Sequence, residues 1–152
     1  MDQIVIFTLD ELKYALALSS VIRVIHAVEI RNLPKAPAIV AGIINVNGQI
    51  IPVINVRKRF GFTSREMELD DQLIMADTGK RQVALWVDTV SGIQNIQAHQ
   101  HVNTTETLPY AQFINGVLKV EDDLILIYDL EQFLDLEEES QLEEALSMKK
   151  ST

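Results

Sequence analysis

Short apolar runs, separated by polar stretches, recur along most of this chain and are typical of β-strands. Residues 3–9 and 13–18 are two such runs, and the polar pair Asp10-Glu11 between them predicts a hairpin. A further strand is expected at residues 90–97, interrupted at Gly92. The same pattern predicts two more hairpins, formed by residues 73–77 with 82–87 around Thr78-Gly79-Lys80, and by residues 113–120 with 124–130.

The clearest hairpin signal lies between Pro37 and Gly61. Residues 42–46 and 49–56 are strand-like and are joined by Asn47-Gly48. Asparagine and glycine tolerate positive φ at both central positions of a two-residue turn, which a type I′ turn requires. Pro52 lies inside the second run and cannot donate to a strand ladder. We therefore expect that strand to lie at a sheet edge or to bulge at Pro52.

Helix is expected in two places. Ser19-Ser20 can cap a short helix over residues 21–25, after which residues 27–32 return to strand. From about residue 131 the apolar spacing changes to a helical period, which predicts a terminal amphipathic helix over about 131–147, broken near Glu139-Ser140. The polar stretch 63–71 is interpreted as a linker or mobile loop. Many short strands with turn signals between them indicate a mainly β protein, built as a barrel or a pair of barrels.

Composition narrows the class of protein. A chain of 152 residues forms one domain or two small lobes, and the absence of cysteine excludes disulfides and thiolate metal sites. A net charge of −9, concentrated near the C-terminus, argues against nucleic acid as a partner. The N-terminus does not read as a signal peptide, and no apolar run is long enough to span a bilayer. We expect a cytoplasmic protein with no direct insertion into a membrane.

Candidate catalytic and metal-binding residues are few. His99 and His101 have the i, i+2 spacing that places two side chains on one face of a strand, so they could supply two ligands of a metal site. No third ligand is indicated, and two loop histidines are the favoured interpretation. Trp86 is expected in the core rather than on the surface, and the basic cluster 57–59 is expected to cap a strand end rather than to bind anions. No catalytic residue, metal or cofactor is predicted.

Four segments taken together resemble the CheW family, the coupling proteins of chemotaxis arrays. The most specific is the central run with Pro37, Gly42, Asn45, Gly48, Pro52 and Val53-Ile54-Asn55-Val56-Arg57, followed by Arg59-Phe60-Gly61. The others are Ile6-Phe7-Thr8-Leu9 with Tyr14-Ala15-Leu16, the element Val87-Asp88-Thr89-Val90-Ser91-Gly92, and Asn115-Gly116-Val117 with residues 124–130. The resemblance covers nearly the full length of the chain.

The resemblance implies a single domain over residues 1–152, made of two SH3-like five-stranded β-barrels that pack on a shared core, with a C-terminal helix. It implies a non-catalytic adaptor that couples methyl-accepting chemotaxis receptors to the histidine kinase CheA. The regulatory domain of CheA, which has the same double-barrel fold, would bind barrel to barrel through mostly apolar contacts. The helical receptor tip would bind in a groove between the two barrels.

The resemblance also implies which residues meet the partners. They are Arg23, His26, Asn45, Asn47, Gly48, Gln49 and Arg57. Three of them depart from the family pattern, which often has arginine at position 47, glutamate at position 23 and arginine at position 26. Asn55 replaces a frequent aspartate as well. These changes of charge lead to the hypothesis of an altered choice of partner.

The sequence leaves other functions open. One is a CheW-like scaffold of a chemotaxis-like pathway that controls an output other than motility. The genome neighbourhood would distinguish this scaffold from the chemotaxis adaptor. A small β-barrel enzyme with a metal centre at His99 and His101 is a second. An SH3-like module that binds peptide or nucleic acid is a third, disfavoured by the acidity of the chain and by its single tryptophan.

Overall fold

A computed structural model describes residues 3–95, 100–102, 114–120 and 123–150 of the chain. Within these ranges the chain forms eleven strands in two sheets and two α-helices. The strands are β1 Gln3–Leu9, β2 Leu12–Ala17, β3 Val21–His26, β4 Val40–Val46, β5 Gln49–Asn55, β6 Gln72–Asp77, β7 Gln82–Val87, β8 Thr89–Asn95, β9 Gln100–Val102, β10 Ile114–Val120 and β11 Asp123–Tyr128. The helices are α1 Val56–Arg59 and α2 Leu136–Lys150.

Each sheet contains one parallel strand pair among antiparallel neighbours. The first sheet has the order β8-β1-β2-β11-β10-β9, and β11 runs parallel to β2. The second sheet has the order β3-β6-β7-β5-β4, and β5 runs parallel to β7. The chain crosses from the second sheet to the first at Asp88, which lies between β7 and β8. Because strands from both halves of the chain enter the first sheet, the two lobes are not consecutive pieces of sequence.

The fold class predicted from the sequence is confirmed. The protein is mainly β, with two sheets and a C-terminal helix, and the sheets are consistent with two SH3-like lobes. The hairpins β1–β2, β4–β5, β6–β7 and β10–β11 all form where the apolar runs and turn residues predict them. The first sheet has six strands rather than five, because the short strand β9 pairs with β10.

Three apolar clusters fill the fold. The largest draws on both sheets and on α2, with Phe7 and Leu16 from the first sheet, Ile54 and Leu85 from the second, and Leu142 from the helix. This is the shared core that the resemblance implied. The two smaller clusters each lie within one lobe, where the first lobe is built on the first sheet and the second lobe on the second sheet. The cluster of the first lobe contains Ile4, Ala15, Leu118 and Ile127. That of the second lobe contains Ile44, Val53, Met75 and Trp86.

Strand β7 shows why Trp86 is buried although it points away from its apolar neighbours. Val83, Leu85 and Val87 face the shared core, whereas Ala84 and Trp86 face the core of the second lobe. The strand is therefore buried on both faces, and the expectation of a core tryptophan is confirmed.

The helix expected over residues 21–25 is wrong. Ser19 and Ser20 lie in a short 3-10 turn, Leu18–Ser20, and the residues that follow form β3, which pairs with β6. The β-branched residues of this run favour a strand once a neighbouring strand is available. The strand expected at 27–32 is also absent, and only a single bridge between Arg31 and Ile43 forms there.

The expectation that the strand with Pro52 is an edge strand or bulges at Pro52 is wrong as well. β5 lies between β7 and β4, and the bulge of this hairpin is in β4, between Val40 and Gly42. Pro52 faces Ile43, whose amide and carbonyl both bond to Arg31 instead of to β5. Opposed residues in an antiparallel pair alternate between bonded and non-bonded positions. Pro52 thus occupies a non-bonded position, where its missing N–H removes no bond from the hairpin.

Helix α2 begins at Leu136 and continues without a break through Glu139 and Ser140, where an interruption was expected. Its start is capped reciprocally, because Asp135 accepts from the amide of Glu138 and Glu138 accepts from the amide of Asp135. His99 and positions 121 and 122 lie outside the described residues. No described helix is long and apolar enough to cross a membrane.

Candidate partner-binding site

The turn between β4 and β5 has the geometry that its sequence predicts. Asn47 and Gly48 have φ values of 52° and 87°, which matches the positive φ of a type I′ turn. The amide of Gly48 donates to Oδ1 of Asn45 at 2.9 Å, so a side chain from β4 fastens the turn. Asn45, Asn47, Gly48 and Gln49 are all exposed.

A groove of about 650 Å³ lies beside this turn, between the end of β3, the segment after it and β4. Ile25, Ile43 and Ile44 give it an apolar lining, and His26, Asn45, Asn47, Glu29 and Arg31 add polar groups. Four of the seven residues expected to meet partners are therefore close to this groove. His26, Asn45 and Asn47 line it, and Gly48 completes the turn at its margin.

The groove opens between the two outer strands of the second sheet. Among the residues that the structure describes, β3 pairs only with β6, and β4 pairs only with β5 apart from its bridge to Arg31. Asn45 lies two residues after Ile43, so its peptide groups point to the same outer side as those bonded to Arg31. Beyond that bridge, within the described residues, the edge of β4 has no strand partner. Exposed edges of this kind are surfaces on which other proteins can dock.

Gly42 allows the segment with Ile30 and Arg31 to pack directly against β4. A Cβ at this position would lie 2.3 Å from the carbonyl oxygen of Arg31 and 2.6 Å from Cγ2 of Ile30. Its φ of 153° also lies in a region that favours glycine. Gly42 is therefore required for the Arg31–Ile43 bridge that closes one end of the groove.

Arg23 and Gln49 are exposed and do not line the groove. Arg23 lies on β3 next to a bulge at Ile22. Arg23, His26 and Arg31 are all exposed, and within the described ranges none of the three makes an ion pair.

Arg57 differs from the other six because its side chain is buried. Its guanidinium makes two bonds to the carboxylate of Asp10, at 2.9 and 2.8 Å, and two to that of Asp88, at 2.9 and 2.7 Å. Asp10 belongs to the β1–β2 turn of the first sheet, whereas Arg57 follows β5 of the second. Arg57 therefore joins the two lobes, and its expected contact with a partner remains a prediction.

The ion pairs continue into the second lobe through Arg65. Its guanidinium bonds to Asp88 at 2.8 Å and to both oxygens of Asp71 at 2.8 Å. Asp71 is also the acceptor for Nε1 of Trp86 at 2.9 Å and for the amide of Glu68. The stretch 63–71, expected to be a linker or mobile loop, is thus held at Arg65 and Asp71. We call this set, Asp10, Arg57, Asp88, Arg65 and Asp71, the inter-lobe network.

The inter-lobe network alters the protonation of its members. The hydrogen bond from Arg57 lowers the pKa of the Asp10 carboxyl. Burial alone would raise the pKa of Asp71, but its hydrogen bonds from Arg65, Glu68 and Trp86 outweigh burial and lower it. Both carboxylates are therefore stabilised in the charged form that pairs with arginine.

An aromatic cluster packs next to the network in the shared core. The ring of Tyr14 lies 5.0 Å from that of Phe60 and 5.6 Å from that of Tyr128, and Phe60 stacks on Tyr128 at 4.0 Å. Burial, with a smaller effect from the charge of Asp10, raises the pKa of Tyr14 to about 12. The hydroxyl of Tyr14 is thus kept neutral well into the alkaline range.

The remaining residues of the basic cluster bond within the protein. Lys58 Nζ donates to the carbonyl of Ala38, and Arg59 pairs with Glu138 at the start of α2. Arg81 holds the same helix through Glu139 and Glu143. The expected strand-end cap is realised as helix α1, whose cations bind the protein's own oxygen atoms.

The described residues contain no group of three or more histidine, aspartate or glutamate side chains arranged to hold a metal ion. His99 lies outside the described residues, and only the backbone of His101 is described, in β9. The metal-dependent alternative therefore gains no support from the structure.

Comparison with known proteins gives consistent results. The family profile described as "CheW-like domain" matches residues 3–138. A chemotaxis protein CheW from Thermotoga maritima is 29% identical over 133 residues, covering 88% of this chain and 87% of the relative. One from Treponema pallidum is 25% identical over 145 residues, covering 90% and 84%. The crystal structure of the scaffolding protein TtCheW from Thermoanaerobacter tengcongensis superposes with a TM-score of 0.78 at 32% identity, covering 90% of this chain and 94% of that one.

Proposed function

The chain belongs to the CheW-like family, and from this premise we propose that it is a non-catalytic adaptor that couples chemotaxis receptors to the histidine kinase CheA. It would act in the cytoplasm, where the receptor tip and the kinase meet. Its relatives are named chemotaxis and scaffolding proteins, and that naming supports the proposal.

The groove beside the β4–β5 turn is the observation that carries the proposal. It combines an apolar lining with an unpaired strand edge and a turn fastened by Asn45. A rigid apolar recess with a polar margin suits an interface in which one barrel docks on another. We propose that the regulatory domain of the kinase binds here, with His26, Asn45, Asn47, Gly48 and Gln49 at the contact.

A second surface is needed for the receptor. Ile22 on β3 and Ile93 on β8 are exposed apolar residues on outer strands of the two different sheets. An apolar face of a receptor helix can bind to such side chains. We propose that the receptor tip uses these strands, and that the inter-lobe network, through Arg57, keeps the two lobes in fixed register during binding.

Charge at the groove is the feature that would set partner choice. Asn47 carries no charge where many family members have arginine, and Arg23 is cationic where glutamate is frequent. A partner matched to this chain would lack a carboxylate opposite position 47 and would present one to Arg23. Kinase domains from the same genome are therefore the appropriate partners for a test.

The test is a titration of the full chain with the regulatory domain of the CheA homologue from its own genome. Ile50 lies in the groove with 38% of its surface exposed, and Leu124 on the first sheet is 55% exposed and serves as the matched control. Ile50→Glu should weaken binding at least roughly tenfold, or about 1.4 kcal/mol, whereas Leu124→Glu should leave it unchanged. Equal effects of the two variants would argue against the groove. Failure of the unmodified chain to bind any such kinase domain or receptor tip would contradict the adaptor role.

A further inference from the structure

The Asn47-Gly48 turn has a chemical property beyond its geometry. The backbone nitrogen of a residue that follows asparagine can attack the side-chain amide carbon, and glycine at that position has no Cβ to block the approach. Both residues of the turn are exposed, and the position that a Cβ of Gly48 would take has no heavy atom within 4 Å. The turn therefore has room to rearrange and water to react with.

One hydrogen bond opposes this attack on the side chain of Asn47. To attack, the nitrogen of Gly48 must lose its proton and turn toward Cγ of Asn47. In the structure that N–H donates to Oδ1 of Asn45 at 2.9 Å. The bond orients the nitrogen and retains its proton, so it must break before the ring can close. We propose that Asn47 is a site of spontaneous deamidation and that the side chain of Asn45 sets its rate.

The reaction balances with water as its only co-reactant. The nitrogen of Gly48 forms a bond to Cγ of Asn47, and the side-chain nitrogen leaves as ammonia with the proton from the Gly48 amide. Water then opens the resulting succinimide at either carbonyl. One opening gives aspartate at position 47, and the other gives isoaspartate, in which the main chain runs through the side-chain carbon.

The chain holds an internal comparison. Asn115-Gly116 is its other Asn-Gly pair, and Asn115 lies at a bulge of β10, between Ile114 and Gly116. Gly116, whose nitrogen would attack, is buried and lies opposite Ile127 of β11, so it has less room to turn toward Asn115 than the exposed Gly48 has to turn toward Asn47. In the folded protein the reaction should therefore be confined to Asn47, whereas both pairs should react once the chain is unfolded.

The product would change the groove. Aspartate at position 47 adds a negative charge where the structure has a neutral amide among the lining residues. Isoaspartate adds one main-chain atom to a two-residue turn. The type I′ geometry depends on the φ values of two ordinary residues and cannot accommodate the extra atom. If the proposed function holds, the modified protein should bind the kinase domain more weakly. The modification itself can be measured without any partner.

The experiment follows deamidation by peptide mass mapping of the full folded chain during incubation at mildly alkaline pH, with isoaspartate scored separately. Asn45→Ala removes the acceptor for Gly48, and Asn45→Asp retains one. We expect Asn45→Ala to react about fivefold faster than the unmodified chain, equivalent to about 1 kcal/mol for one hydrogen bond. Asn45→Asp should stay near the unmodified rate. Melting temperatures of the variants establish that each remains folded under the conditions used.

Three results would overturn the proposal. The first is an Asn45→Ala rate no greater than that of Asn45→Asp. The second is an unmodified Asn47 in folded Asn45→Ala after a time in which denatured protein reacts fully. The third is equal modification of Asn47 and Asn115 in the folded protein, because the folded structure would then not determine which asparagine deamidates.

Discussion

Replacing Asp88 by asparagine should destabilise the protein more than any surface charge change. Asp88 accepts from Nη2 of Arg57 at 2.7 and 2.9 Å, from Nη2 of Arg65 at 2.8 Å, and from the amide of Asp10 at 2.9 Å. Its side chain is only 21% exposed, and that of Arg57 is 6% exposed. The carboxylate therefore pairs with the buried guanidinium of Arg57 and with that of Arg65, whose side chain is 26% exposed.

The size of the effect follows from these contacts. Hydrogen bonds to charged groups contribute about 1.5–3 kcal/mol each, and removing one partner of a fully buried pair costs about 3–5 kcal/mol. Asparagine keeps one acceptor, Asp10 and Asp71 still pair with the arginines, and partial exposure of Asp88 screens its charge. We therefore expect Asp88→Asn to lower the free energy of unfolding by about 2–3 kcal/mol.

The measurement is urea unfolding followed by circular dichroism, in which this loss should shift the midpoint by about 1–2 M for a chain of this size. Glu143→Gln is the matched control, since it removes a carboxylate that pairs with Arg81 but is 67% exposed. The control should lose no more than about 1 kcal/mol. A loss below about 0.5 kcal/mol for Asp88→Asn would show that the inter-lobe network contributes little to stability.

Two further predictions concern the backbone at the groove and the buried tyrosine. Gly42→Ala should cost at least about 2 kcal/mol in urea unfolding, because its Cβ would clash with the carbonyl of Arg31 and break the bridge to β4, and stability unchanged by this substitution would contradict the clash. Stability should also fall as the pH rises from 10 to 12, because Tyr14 ionises near pH 10 when unfolded and only near 12 when folded. Tyr14→Phe should remove up to about 2 kcal/mol of that fall, and an identical pH profile for the two proteins would count against a raised pKa.

Local sequence signals were sufficient for the hairpins. The strands of β1–β2 and β6–β7 contain short apolar runs bounded by polar residues, and turn residues such as Asn47-Gly48 mark where a hairpin reverses. The helix expected at 21–25 failed because capping by serine is a weak local preference. Pairing of β3 with β6 depends on residues about fifty positions away, which no local pattern contains.

The candidate site also has a part that local sequence predicts and a part that it does not. Residues of the β4–β5 turn could be predicted because the turn and the family pattern lie in one continuous stretch. The inter-lobe network was missed because its partners are distant, with Asp10 separated from Arg57 by 47 positions and Asp88 by 31. The one available signal was Asp88 in the element Val87 to Gly92, which belongs to the family pattern but does not reveal what its carboxylate binds.

The hydrogen bond from Trp86 to Asp71 gives the protein a built-in optical reporter. Trp86 is the only tryptophan in the chain, so all indole fluorescence comes from one site. Its Nε1–H bonds to the same carboxylate that holds Arg65, and Arg65 in turn reaches Asp88 at the junction of the lobes. Loosening of that junction would disturb the pairing of Arg65 with Asp71 and so change the polar surroundings of the indole N–H, which shifts the emission of Trp86. Binding events that pull the lobes apart could then be followed in real time on unlabelled protein.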